Sequence, residues 1–337
     1  MNYKPSFELQ ANNNDITRTL MERVGSVQIV QHCGFISDHC ILELDDHHDS
    51  RIQLPSPGDT VRIKLGYKKG DSGDKSEMVE HGIFEVGEYS LSGPRDTMFI
   101  YGNKFQWSSA ALKAPKQRSW PSTVEEPKTL QDLLGAIAGE HGLEAKVSSE
   151  LASIVMPAIE QSESDLQLIT KLGLLYDATA RIVETFLIFM PRGTGRSRSG
   201  GQIPSIAIDI EQMMRWDIVD SQLPAYESCK ASYHDLTTAL RMAVTAGTGD
   251  PCYELTYPLA DEVTAQWAAK ARLNDFKRTS RTLKADVIGD AKLMAGGSVE
   301  ISDVREGIDG SWFITKVHHL IDSNGFTSTI ECEQILG

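Results

Sequence analysis

Gly58-Asp59-Thr60-Val61-Arg62-Ile63 in the first part of the chain and Gly296-Gly297-Ser298-Val299-Glu300-Ile301 near its end share one pattern. In each, glycine leads into alternating apolar and polar residues, the period of two that a half-buried strand requires. The likeness continues downstream. Gly82-Ile83-Phe84-Glu85-Val86 follows the first copy, and Gly310-Ser311-Trp312-Phe313-Ile314 follows the second. Thr97-Met98-Phe99-Ile100 is then matched by Thr327-Ser328-Thr329-Ile330. Three strands recurring in one order favour two copies of a single β fold.

Around the first copy, Val24 to Tyr101 reads as closely spaced strands of a small barrel or sandwich. Ile41, Leu42 and Leu44 lead into an Asp/His turn at Asp45–Asp49, Gly70–Glu77 reads as a polar hairpin tip, and Ser92-Gly93-Pro94 as a turn. The character changes after Trp120. Thr129 precedes Leu130, Leu133, Leu134 and Ile137, a helical stripe with Asp132 placed to complete a capping box, and Gly142 is placed to end the helix. Ser162 and Asp165 repeat the signal ahead of Leu166, Ile169 and Leu172, and Ala178–Val183 with Phe186–Met190 reads as a hairpin. Arg192–Gly201 is a Gly/Ser/Arg-rich loop. Strands return near Ile206–Ile210, Ser228–Tyr233 and Leu240–Val244, and one helix starts at Asp261 with Val263, Trp267 and Ala271 on its stripe.

The fold class expected is a β-rich α+β chain with two β-barrel domains and a small α/β insertion between them. Residues 1–118 form the first barrel and 119–202 the middle domain with its flexible loop. Residues 203–337 form the second barrel, with an inserted helix near 261–277. A length of 337 residues with 40% hydrophobic residues is enough for two or three such cores.

Composition excludes several classes of function. The net charge of −14 argues against gripping nucleic acid, which needs clustered Lys and Arg to neutralise phosphates. The longest apolar run, Phe186–Met190, is far short of the roughly 20 residues of a membrane helix, and the first residues lack a signal peptide's apolar core. Five cysteines without a CxxC pair read as reduced thiols of a protein made in a cytoplasm.

The candidate chemistry is sparse. His32-Cys33 and His39-Cys40 offer zinc-type ligands, but their spacing matches no common finger and Gly34–Asp38 reads as a turn between strands. Asp45-Asp46-His47-His48-Asp49 offers carboxylates and imidazoles, but consecutive turn residues rarely converge on one cation, and a solvated tip is expected. No nucleophile elbow, phosphate loop or HExxH occurs, so no catalytic, cofactor or metal residue is assigned. Arg192, Arg196 and Arg198 form the one local basic cluster, expected on an outer surface, and Trp267 is expected in a core.

Taken in order, short motifs along the chain carry a family resemblance. They are Leu42-Glu43-Leu44-Asp45-Asp46, Leu54-Pro55-x-Pro57-Gly58, Gly82-x-Phe84-x-Val86, Ser92-Gly93-Pro94, His141-Gly142-Leu143, Gln161-Ser162-Glu163-Ser164-Asp165-Leu166, Gly310-x-Trp312 and Val317-x-His319. The chain resembles the phage late-control protein D family, the baseplate hubs of contractile tails, which are related to the base of type VI secretion spikes. It departs in having Leu168-Ile169 where an aromatic is usual, and in its longer, more basic Arg192–Gly201 loop. The resemblance implies tail-tube-like barrels, a homotrimer with a pseudo-sixfold ring, and a structural role joining a hexameric tail tube to a trimeric spike. It implies as partners the tube protein, the central spike, other baseplate proteins and a tape measure protein, with DNA passing through the lumen unbound. No membrane insertion is expected, and the site is the virion tail, assembled in the host cytoplasm. A tail-tip hydrolase or metal-binding module acting on the cell envelope is the alternative.

Overall fold

The computed structural model describes residues 3–336 apart from 48, 70–76, 95, 105–109, 124, 184, 194–204, 222–225 and 236. The expected tip at 70–76 and the residues Arg196 and Arg198 lie outside the described residues. The chain begins with β1 (Tyr3–Ala11), β2 (Asn14–Asp15), the single turn α1 (Thr17–Leu20), β3 (Val24–His32), β4 (His39–Asp45), β5 (Thr60–Lys69), β6 (Glu77–Ser92) and β7 (Thr97–Lys104). The middle segment holds α2 (Ala110–Lys113), β8 (Arg118–Trp120), α3 (Leu130–Glu140), β9 (Glu144–Val147), α4 (Ser149–Ala152), β10 (Ile159–Gln161), α5 (Asp165–Leu175), β11 (Ala178–Val183) and β12 (Phe186–Pro191). Then come β13 (Ile206–Asp209), β14 (Met213–Asp220), β15 (Ser228–Asp235), β16 (Leu240–Gly247), β17 (Cys252–Glu254) and α6 (Glu262–Thr279). The chain closes with β18 (Arg281–Ile288), β19 (Ser298–Ser302), β20 (Gly310–Asp322) and β21 (Gly325–Gln334). Among the described residues no helix is long and apolar enough to cross a membrane.

One sheet of thirteen strands runs through the molecule, in the order β14-β18-β21-β20-β3-β4-β7-β6-β5-β1-β2, with β19 beside β20 and β13 beside β19. It contains two strand sets of the same internal order, β1-β5-β6-β7-β4-β3 and β13-β19-β20-β21-β18-β14. Within the sets all pairings are antiparallel except β13 with β19. Two of the bulges coincide as well. A shift at Val86/Glu88 of β6 matches one at Ile314/Lys316 of β20, and one at Val24/Ser26 of β3 matches one at Met213/Arg215 of β14. The repeated motifs occupy equivalent places: Val61 faces Phe84 as Val299 faces Trp312. Gly58 and Gly296 both adopt φ of +88°, a left-handed conformation that a Cβ would strain.

Alternation sends one side chain in two into the cores. Leu42, Leu44, Ile63, Leu65, Phe84 and Met98 fill the first set, and Leu283, Val299, Ile301, Trp312 and Ile330 fill the second. Each fully buried side chain of this size contributes about 1.5–3 kcal/mol.

The two sets are fused through β20. Its first residues pair with β19, and beyond the bulge Lys316–Ile321 pair with His32–Val27 of β3. A bulge bends its strand, so one strand can serve two neighbours in succession. Val27, Ile29 and Val317 are fully enclosed at this junction. Beside them lies a buried polar knot of Gln31, His81, His319 and Ser328. The His81 and His319 rings meet edge-on with centroids 4.8 Å apart. The Leu293 carbonyl can only accept, so His319 Nε2 donates to it at 3.1 Å while Nδ1 accepts from the Ser328 hydroxyl at 2.8 Å. Gln31 Nε2 lies 3.4 Å from His81 Nδ1, which leaves His81 Nε2 without a partner. Burial pushes the pKa of His81 down to about 3, helped by the charges of His319 and Lys104, and burial also lowers that of His319, to about 4.

The middle segment has its own core of Leu130, Leu134, Ile137, Leu151, Ile169, Tyr176 and Phe189, with Leu112 of α2 among them. The capping box of Thr129 and Asp132 forms as expected, and Gly142 follows α3 at φ of +67°. The second cap differs from the expectation. Ser164, not Ser162, caps α5, with Gln167 completing the box. Asp165 is thereby freed for another task. Its fully buried carboxylate accepts from Lys116 and Arg118 at 2.6 Å each, His141 at 2.7 Å and Gln161 at 2.8 Å. Burial alone would raise its pKa, but the hydrogen bonds from Gln161, Lys116 and His141 and the Arg118 charge outweigh this and hold it at about 2. One carboxylate thus ties β8, β10, α3 and α5 together.

Residues after β14 form a separate three-stranded sheet, β16-β15-β17, with α6 packed on it. The buried face of α6 is alanine-rich, with Ala265, Ala268, Ala269 and Leu273, whereas Val263 is exposed. The expected stripe is rotated because α6 lies between two cores: Trp267 points to the middle core and meets Tyr176 edge-on. Arg278 grips Asp177 through both guanidinium nitrogens at 2.6 Å, and Arg192 binds Glu333 at 2.6 Å. Middle segment, α6 and β21 are so held as one body.

Two outcomes follow. Asp165→Asn leaves Lys116 and Arg118 facing a neutral group. Because both cations keep some water contact, the loss should fall near the lower end of the roughly 3–5 kcal/mol typical of a broken buried pair. Denaturant unfolding measures it, and a loss below about 1 kcal/mol would contradict the tie. For the junction, both histidines have folded-state pKa values below the unfolded value of about 6.5. Stability is therefore full above pH 6.5 and falls as the pH drops, because the unfolded chain binds protons first, levelling only below about 3 to 4. Thermal midpoints should fall between pH 6.5 and 5, and replacing His81 and His319 by Gln should flatten that slope.

Candidate assembly interface

The strand geometry that is satisfied at the β3–β20 junction recurs unsatisfied at two other places. β14 is the second set's equivalent of β3, and Glu88–Ser92 of β6 is the first set's equivalent of Lys316–Leu320 of β20. Among the described residues β14 pairs only with β18, and this part of β6 pairs only with β7. Both edges expose apolar side chains. Trp216 and Val219 on β14 are 41% and 60% exposed, and Tyr89 and Leu91 on β6 are 40% and 54% exposed. Their junction equivalents Val27, Val317 and His319 are at 0%, and Val30, the equivalent of Val219, is at 9%. An unpaired edge with apolar side chains is a template for another strand, and proteins normally blunt such edges with charge or cover.

Between the two edges runs the sheet face turned away from the cores. Period-two alternation puts Glu88, Tyr101, Glu43, Gln28, His318, Glu331, Asp286, Lys284, Asp217 and Arg215 on it. Cations and carboxylates are interleaved, with Lys316 bound to Glu331 at 3.1 Å and Thr329 donating to Asp286 at 2.7 Å. His318 meets Gln28 across the junction at 3.2 Å.

The residues singled out by chemistry scatter. The His32 and His39 rings stack at 6.0 Å, while Cys40 alternates to the opposite side of β4 and enters the first core. Burial pushes the Cys33 thiol up to about 11 and Cys40 up to about 12. All five cysteines are free thiols. Among the described residues no group of three or more His, Cys, Asp or Glu could hold a metal ion. The Asp45–Asp49 stretch departs from a solvated tip, because Asp46 is buried. It accepts from the Ile52 amide at 2.6 Å and pairs with Arg51 at 3.2 Å, anchoring the loop that leads to β5. Arg192, expected in a free basic loop, is instead held by Glu333 and Asp275. Reading the sequence alone missed β14, because its alternation, Arg215-Trp216-Asp217-Ile218, is short and lies between the bulge at Met213/Arg215 and the exposed Val219.

No family model matches the chain. It is 26% identical to the probable baseplate hub protein of Escherichia phage P2 over 372 residues, covering 98% of this chain and 93% of the relative. The same identity holds against the probable baseplate hub protein of Escherichia phage 186, over 98% and 92%. Among solved structures, the 43 kDa tail protein of prophage MuSo2 from Shewanella oneidensis superposes with a TM-score of 0.66 at 13% identity, over 98% of both chains. An E. coli component of the type VI secretion system, itself similar to T4 tail proteins gp27 and gp5, matches with a TM-score of 0.55 at 10% identity, over 92% of this chain and 73% of that one. In sequence the chain is thus similar, from end to end, to phage baseplate hub proteins, and its fold is that of phage tail and type VI secretion components.

Proposed function

We propose that this chain is the structural hub of a contractile-tail baseplate, acting as a ring that adapts one symmetry to another. The observation that carries the reading is the repeat of six strands in one order, with matching bulges in β6 and β20 and in β3 and β14. Each set is a tail-tube-like barrel unit in this reading, and three chains present six units, the count needed to abut a hexameric tube. Closure by rotation makes each contact head-to-tail, and the two open edges supply the two sides of such a contact.

The two ends of the strand sets differ in a way that supports the adaptor role. At one end the hairpin between Ser92 and Thr97 has its equivalent between Asp322 and Gly325, so the sixfold outline is kept. At the other end the short connection from His32 to His39 corresponds to the long one from Asp220 to Arg281, which contains β15, β16, β17 and α6. The middle segment packs at that same end, through Arg278, Arg192 and Trp267. Three chains keep only threefold symmetry there. The hairpin end then faces the tail tube, and the α6 end faces the trimeric spike and the other baseplate proteins.

The polar face between the edges lines the lumen in this reading. Its interleaved carboxylates repel phosphate, and its cations are already paired or flanked by acid, so DNA passes without being held. The role is structural and needs no catalytic group. Native mass measurement of the hub released from assembled particles tests the copy number. Three copies per tail are expected, whereas six copies per ring would overturn the reading.

A further inference from the structure

We propose that β14 of one copy pairs antiparallel with Glu88–Ser92 of β6 in the next copy, in the register Tyr89 to Asp220, Ser90 to Val219, Leu91 to Ile218 and Ser92 to Asp217. This rests on the ring reading above and assigns its seam. The register comes from the molecule's own junction. There, Val317 faces Gln31, His318 faces Val30, His319 faces Ile29 and Leu320 faces Gln28. The matched bulges in β6 and β20 make Glu88 equivalent to Lys316, and those in β3 and β14 make Val24 equivalent to Met213. Transferring the junction through these equivalences leaves no freedom in the pairing. A slip of one residue would turn every side chain of the added strand to the wrong face.

The side chains fit the seam. Leu91 meets Ile218 on the core side, with Trp216 next along the strand, so Tyr89, Leu91 and Trp216 become a continuation of the two cores, while Val219 lies opposite Ser90 on the face turned away from them. Asp220 stands where Gln31 stands in the intrachain junction, and Arg281 lies 3.5 Å from it, so the seam carries no bare carboxylate. Leu91 replaces His319 of the polar knot. The two seams therefore differ in chemistry, one keyed by Gln31, His81 and His319 and the other by Leu91 with the Asp220–Arg281 pair, so that β14 and β3 are poor substitutes for one another. The occupant of each edge is a second copy of this chain, because its complement is present on every copy and repeats the strand order and bulge of the β3–β20 junction.

Disulfide trapping in assembled particles tests the register. A chain carrying Ser90→Cys and Val219→Cys should, on oxidation, give a reducible ladder ending in a three-chain species. Cysteines directly opposite on one face are within bridging reach. Ser92→Cys with Asp217→Cys should do the same and guards against one pair disturbing assembly. Ser90→Cys with Ile218→Cys puts the thiols on opposite faces and should give no ladder beyond that of the single variants. Particles that contain a ring-sized hub but yield no ladder from either matched pair would overturn the seam and leave the hub reading standing. A ladder only from the shifted pair would overturn the register. Particles with no hub species larger than one chain would overturn both.

Discussion

The antiparallel pairing of β3 with the second half of β20 is the contact on which the molecule depends. A strand edge offers a row of backbone donors and acceptors that must find partners, and apolar side chains beside it must be covered. This chain meets that demand within itself once. Because it carries the same strand set twice, it poses the same demand again at β14 and at the outer half of β6. The exposed Trp216, Val219, Tyr89 and Leu91 lie along those two edges.

The bulge in each long strand makes this geometry possible. β20 pairs with β19 on one side of Ile314/Lys316 and with β3 on the other, and β6 has the same irregularity at Val86/Glu88. A straight strand would keep one neighbour along its length, and the sets could then not pass from one to the next. The regions between the sets do other work. The middle segment and α6 are locked by Asp177–Arg278, Arg192–Glu333 and the Trp267–Tyr176 contact, which gather the irregular structure at one end.

Much of this was legible in the residues, for identifiable reasons. Strands flanked by glycine with one buried face, such as Val61-Arg62-Ile63 and Val299-Glu300-Ile301, declare themselves by alternation, and their common order suggested the repeat. The helix at Thr129 declares itself by its capping box. What escaped was set by tertiary context. β14 alternates only over Arg215–Ile218, between a bulge and Val219, too short a run to stand out. Ser162 resembled a cap, yet Ser164 takes that place with Gln167, and Asp165 instead binds Lys116, Arg118 and His141, which come from distant parts of the chain. Asp46 resembled a solvated turn residue, yet Arg51 and the Ile52 amide enclose it. That both sets share one sheet was not visible either, because the pairing of His32 with Lys316 spans most of the chain.

A density map of this chain within an assembled tail, resolved well enough to trace strands, decides whether the strand sets join between copies. The expected sheet continues without a break around the lumen, with β3 beside β20 inside each chain and β14 beside β6 between chains. A closed ring in which the sheet ends at β14, its outer edge facing solvent or an unrelated protein, would contradict it.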